Sequence, residues 1–158
     1  MSYQELSSQI NKDLYPDVVE AGGVPMALAK ALADLPGALQ VSTLENSTTY
    51  ARVADGARSS QLSIALHERL FLFYFGSEGV GYGNGKSSIL TEAAQAIHFW
   101  ITQKPSIAVM ERRFEVFKSS EAGKAHEQVK SLGINGIRFY IRGGKGKETH
   151  LTAGHHYP

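Results

Sequence analysis

Residues 69–103 pass in order through an apolar β-type run, a glycine-rich stretch and an amphipathic helix. The run is Arg69-Leu-Phe-Leu-Phe-Tyr-Phe75, the stretch ends Gly85-Lys86-Ser87-Ser88, and the helix reaches Trp100 and Ile101. Strand, glycine loop with Gly-Lys-Ser, then helix is the order of a phosphate-binding loop. Two tests count against that reading. In the pattern Gly-x-x-x-x-Gly-Lys-Ser, Gly85 requires a glycine where Val80 stands, with Gly79 and Gly81 on either side. One residue of slippage re-aims every backbone N–H that would curl around the phosphates. Nucleotide hydrolases of this type also hold Mg²⁺ with an Asp that follows the loop. The aspartates here are Asp13, Asp17, Asp34 and Asp55, all upstream of it. The segment therefore reads as structure. Gly76 to Gly79 turn the first strand, Val80 to Tyr82 return, Gly83-Asn84-Gly85 turn again, and Ser87 or Ser88 caps the helix.

The surrounding pattern gives the fold class. Leu6, Ile10 and Leu14 recur at helical spacing up to Pro16, and a second helix follows Pro25 with Leu28, Leu32 and Leu35 on one stripe. Short β-type runs then cover 38–43, 48–54, 59–67 and 69–75, separated by turns such as Asp55-Gly56. Connections this short join antiparallel neighbours. Leu62, Ile64 and Leu66 alternate with polar or small residues, as on a sheet with one dry face. In the run from Arg69, Phe71, Phe73 and Phe75 point one way and Leu70, Leu72 and Tyr74 the other, so both faces call for cover by helices or by a partner. Ile89, Ala93, Ile97, Trp100 and Ile101 share a helical stripe, and Pro105 opens a short helix through Met110. Ala122, Ala125, Val129 and Leu132 mark a further helix closed by Gly133. Ile137, Phe139 and Ile141 alternate with Arg138, Tyr140 and Arg142 in a last strand. The expectation is a single α+β domain over 1–158. It holds an antiparallel β-meander of about four or five strands, packed by N-terminal and C-terminal helices.

Bulk properties narrow the function classes. The formal charge of +1 is not that of a general nucleic-acid binder, so nucleic acid is not the expected partner. The absence of cysteine removes thiol catalysis and disulfides. The start of the chain lacks the basic and apolar regions of a signal peptide, and no apolar run is long enough to span a bilayer. A cytoplasmic protein without membrane contact is expected. His67-Glu68 and His126-Glu127 open like zinc-protease motifs, but Phe71 and Lys130 stand where the second His belongs. His150, His155 and His156 read as a solvated tail, and no Gly-x-Ser-x-Gly elbow occurs. No cofactor and no metal are expected. Arg138, Tyr140 and Arg142 with the following Lys145 and Lys147 form the best binding candidate, two guanidiniums flanking an aromatic beside a basic loop. A ligand loop built from Gly79, Gly85, Lys86 and Ser87 is the alternative.

Several short stretches carry a resemblance: Ala51-Arg52-Val53, Gly56-x-Arg58, Arg69-Leu70-Phe71, Phe75, Gly79-Val80 and Gly85, continued by Ala93, Ala96-Ile97 and Trp100. Over roughly residues 50 to 130 the chain resembles a family of small uncharacterised bacterial proteins, common in actinomycetes and often described as natural product biosynthesis proteins. One departure is Gly76, in place of the aromatic that usually follows Phe75. The family brings no established activity and no catalytic residues. Similar genes occur among toxin and immunity cassettes, so the resemblance implies an immunity role. The leading expectation is thus a non-enzymatic protein-binding module, an immunity protein that occludes a bacterial toxin domain. A homo-oligomer formed through the sheet is a further expectation. The alternative is an accessory protein or small enzyme of specialised metabolism with a pocket beside the Gly76–Gly85 loop.

Overall fold

A computed structural model describes residues 10–133 and the backbone of two further short strands, Arg138–Phe139 and Leu151–Thr152. The strands are β1 (Val41–Ser42), β2 (Tyr50–Asp55), β3 (Arg58–Ile64), β4 (Phe71–Ser77), β5 (Val80–Ser87) and β6 (Lys118–Ser119). They form one sheet in the order β1-β2-β3-β4-β5-β6, every pairing antiparallel. This is the expected α+β meander, with the 38–43 run shortened to the two residues of β1 and a further edge strand, β6, added beside β5. Arg138–Phe139 (β7) and Leu151–Thr152 (β8) pair separately. The helices are α1 (Pro16–Ala21), α2 (Val24–Ala33), α3 (Leu90–Gln103), α4 (Ile107–Arg113) and α5 (Glu121–Ser131). No helix among the described residues is long and apolar enough to cross a membrane.

The core lies between the inner face of the sheet and α2 and α3. Ala51, Val53, Leu62, Phe71, Phe73 and Phe75 supply the sheet side, and Leu28, Ala93, Ile97, Trp100 and Ile101 the helix side, all buried. Phe75 meets the rings of Phe73, Trp100 and Phe117 edge-on at 5.5–5.6 Å between centroids. Burying such side chains contributes about 1.5–3 kcal/mol each. Trp100 is 0 % exposed, and its one Nε1–H is shared between the carbonyls of Ser59 (3.1 Å) and Gly76 (3.2 Å), which fixes the polar edge of the indole.

Several local expectations are corrected. Pro16 opens a helix rather than ending one, because proline presets the first helical φ and lacks only an N–H that would be unpaired there. Of the stripe expected before it, Leu6 lies outside the described residues. Gly83-Asn84-Gly85 is not a turn but part of β5. A Cβ on Gly83 would stand 2.5 Å from the Lys118 carbonyl oxygen and 2.7 Å from the Phe117 ring, and one on Gly85 2.4 Å from the Phe73 ring, so glycine is needed for the close approach of β6 and of the two aromatic rings. The turn between β4 and β5 is Glu78-Gly79, both left-handed at φ 54° and 77°, as a two-residue primed turn demands. Neither Ser87 nor Ser88 is the N-cap of α3. The cap is Ile89, with no side-chain bond of its own; the Ser87 hydroxyl accepts the Ile89 N–H at 3.0 Å. Ile89 and Leu66 are exposed rather than core. Arg69 precedes the strand rather than beginning it. Its guanidinium pairs with both oxygens of Asp17 (2.8 and 3.0 Å) and donates to Leu14 O and Ser88 O, tying the N-terminal segment to the sheet.

Two corrections bear on function. Tyr74 is 49 % exposed and Leu72 only partly covered, so among the described residues helices cover one face of β4, not both. And α5 does not bury its expected stripe. Ala122, Ala125 and Leu132 are exposed, while Gly123 is buried and His126 and Glu127 are half-buried.

Candidate functional sites

The uncovered sheet face can be read from the pairing register. Ser42 pairs with Arg52, Arg52 with Gln61, Gln61 with Tyr74, Tyr74 with Asn84, and Asn84 with Lys118. Directly paired residues share a face, so these six form one transverse row. A parallel row runs Tyr50, Ser63, Leu72, Lys86. On the other side of Tyr74 lie Ala54, Ser59, Gly76 and Gly81. The three rows contain Arg52, Lys86 and Lys118 and no acid. Tyr74 stands between two depressions: one of about 500 Å³ bordered by Leu72, Asn84, Lys86, Val116 and Lys118, and one of about 330 Å³ floored by Gly76 and Gly81.

The second site lies on the opposite side, where α5 meets the β4–β5 hairpin. Its geometry begins with a β-bulge. Phe75 pairs with Gly83 but Gly76 pairs with Gly81, leaving Tyr82 as the extra residue. Tyr82 therefore points inward, is buried, and packs against Trp100 at 5.4 Å. Directly above it α5 comes close. A Cβ on Gly123 would stand 2.6 Å from the Tyr82 Cα, so only glycine permits this approach. Ser120 caps the helix by accepting the Gly123 N–H (2.9 Å) while its own hydroxyl donates to Gly81 O.

Polar groups complete the contact. The Tyr82 hydroxyl is 2.5 Å from His126 Nδ1, and His126 Nε2 is 3.6 Å from Glu78. Lys130 pairs with the other Glu78 oxygen. The Glu127 carboxylate accepts the Ile107 N–H at 2.9 Å and so serves the first turn of α4 from outside. Burial pushes the Tyr82 phenol up, with the Glu127 field adding and Arg58 opposing. Burial thus favours the protonated phenol, and its short hydrogen bond with Nδ1 takes its direction from the imidazole tautomer. The hydrogen bond from Lys130 holds Glu78 below the usual carboxylate range. Beside this chain the Arg58 guanidinium lies over the Trp100 ring at 3.8 Å and donates to Pro105 O at 3.0 Å. Arg58, Tyr82, Lys104, Ser106, Glu127 and Lys130 border an open crevice of about 590 Å³.

The structure scatters the residues that the sequence grouped as a ligand loop. Gly79 is the hairpin tip, Gly85 faces the core, Ser87 is buried, and Lys86 stands on the outer sheet face. Of the basic candidates, Arg138 is described only through its backbone pairing with Thr152; Tyr140, Arg142, Lys145 and Lys147 lie outside the described residues, as do His150, His155 and His156. Neither site above was marked in the sequence. The outer-face row is distributed over six strands and becomes visible only with the register. The Tyr82–His126–Glu78 chain joins residues 44 and 48 positions apart, and a bulge places its first member. Compared with protein-family models, curated proteins and solved structures, the chain has no match, so the two sites rest on their own geometry and chemistry.

Proposed function

We propose that this chain is a non-enzymatic protein-binding module, and that its interface is the outer face of the sheet. The observation that carries the reading is the acid-free row from Arg52 to Lys118 with Tyr74 at its middle. Four strand spacings separate its ends, about 19 Å, which suits a protein surface better than a small ligand. The row supplies what interfaces use most: one half-exposed aromatic anchor with adjoining depressions, and cations at the rim that steer encounter. By charge complementarity the partner presents an acidic patch. In its specific form the reading is a cytoplasmic immunity protein that occludes an acidic surface of a bacterial toxin domain.

Co-expression with the product of the adjacent gene is the test. A stable complex on gel filtration and rescue from toxicity are expected. Tyr74→Ala should weaken the complex by about 2 kcal/mol, some thirtyfold. Arg52→Glu with Lys118→Glu should slow association, most at low salt. No complex and no rescue would sink the proposal, and binding of single-stranded RNA abolished by the same substitutions would reassign the face.

A further inference from the structure

Arg58 carries a charge that the fold positions without an ion pair among the described residues, the Glu127 carboxylate acting on it only across the crevice. Its guanidinium is half-buried, stacked on a fully buried indole, and fixed by one hydrogen bond to Pro105 O. Among the described residues it forms no ion pair, whereas Arg69 has a two-pronged carboxylate partner. Withdrawal from water pushes the Arg58 guanidinium down from its ordinary value, and the Glu127 carboxylate offsets this only in part, so an added counter-charge on the Arg58 fork would be stabilising. Only one of its donor groups is engaged, which leaves the planar fork for a partner of matching geometry.

The surroundings complete a receptor. Lys104 borders the same crevice and is held in the left-handed region at φ 49°, a costly position for a lysine that ends α3. The Ser106 hydroxyl oxygen accepts the Val109 N–H, leaving its hydrogen available. Lys130 is already paired with Glu78, and one oxygen of Glu127 is committed to Ile107. We infer that the crevice between the β4–β5 hairpin, the α3–α4 link and α5 binds a small organic anion through a carboxylate or phosphate group, held by the Arg58 fork with Lys104 and Ser106 at the rim. Stacking on Trp100 leaves the guanidinium edge free to take two oxygens side by side. The site lies on the inner side of the sheet and is independent of the interface proposed above.

Trp100 is the single tryptophan of the chain, so its fluorescence reports directly on Arg58. The full chain is titrated with sodium phosphate and, separately, with sodium succinate, each against sodium chloride at matched ionic strength and neutral pH. A saturable change is expected with at least one of them. Phosphate alone would assign a phosphate-bearing ligand, and succinate alone a carboxylic acid. Arg58→Gln should weaken binding by about tenfold or more, because a charged two-pronged contact is lost. The exposed Lys104→Gln should weaken it a few-fold with an unchanged melting temperature, and it decides the matter if Arg58→Gln does not fold. Flat titrations with both anions, or saturation unaltered in the folded variants, overturn the inference.

Discussion

Helices α3 and α5 both pack on the inner side of the same sheet, yet they are held by opposite means. α3 presents Ala93, Ala94, Ala96, Ile97, Trp100 and Ile101, all buried, and its seating is a matter of apolar area. α5 buries Gly123 alone. Its remaining hold is a cap to Gly81, a histidine on Tyr82, a carboxylate on a neighbouring backbone N–H and a lysine on Glu78. Apolar burial has no charge to titrate or to screen, whereas partly exposed ion pairs respond to both pH and ionic strength. The helix that borders the crevice is thus the one whose seating solution conditions can change.

The comparison can be broken experimentally, beginning at the α3 side. Trp100→Ala should cost about 3–5 kcal/mol and lower the denaturation midpoint of the whole domain. A loss confined to α5 would show that the two helices are not seated as described. Gly123→Ala sets two effects against each other. Alanine favours a helix by up to about 1 kcal/mol over glycine, but its Cβ would meet the Tyr82 backbone, which cannot swing aside as a side chain can. The clash should win, with a net loss of about 1–3 kcal/mol seen by hydrogen exchange in α5 while the α3 amides keep their protection. Net stabilisation would mean that α5 sits further from β5.

Smaller effects sharpen the contrast. Glu78 is held low by Lys130, so its contribution is present above the ordinary carboxylate range and is lost as pH falls through its depressed value. Acidification should therefore loosen α5 before the core unfolds, and Glu78→Gln, worth at most about 1 kcal/mol after screening, should remove that early step. Simultaneous loss of protection in α3 and α5 at every pH would contradict it. Smallest of all, Asp17→Asn should cost below about 1 kcal/mol and act on the N-terminal segment alone. The Arg69 hydrogen bonds hold Asp17 low, so this contribution too is lost on acidification; a salt-independent loss larger than that of Gly123→Ala would refute the ranking.

What the sequence disclosed follows the same division. Leu62 and Ile64, the three alternating phenylalanines, and the Ala93–Ile101 stripe were legible because apolar burial leaves a period. The seating of α5 left none, since its contacts are polar and its decisive residue is a glycine. The glycines of β5 misled for a related reason. Gly83 and Gly85 look like turn residues until Phe73 and Phe117, distant in sequence, are seen to need the space. The outer face was half visible, as an apolar side of β4 without an obvious cover. Its composition as a basic row needed the alignment of neighbouring strands, which no single stretch of chain contains.

The extra residue at Tyr82 has a consequence beyond where that ring points. Alternation along a strand is a parity, and one inserted residue reverses it for everything downstream. Because Tyr82 and Gly83 both face inward, Asn84 and Lys86 emerge on the outer surface while Gly85 and Ser87 turn to the core. Were the same sequence paired regularly, without the bulge, Lys86 would fall opposite Phe71 among the phenylalanines and Gly85 would lie where the cation now stands. The polarity of half of β5 is therefore set by counting rather than by chemistry. Deleting Tyr82 would leave Gly83 opposite Phe75 and every later residue of β5 on its present face, so the loss should be that of the buried ring alone.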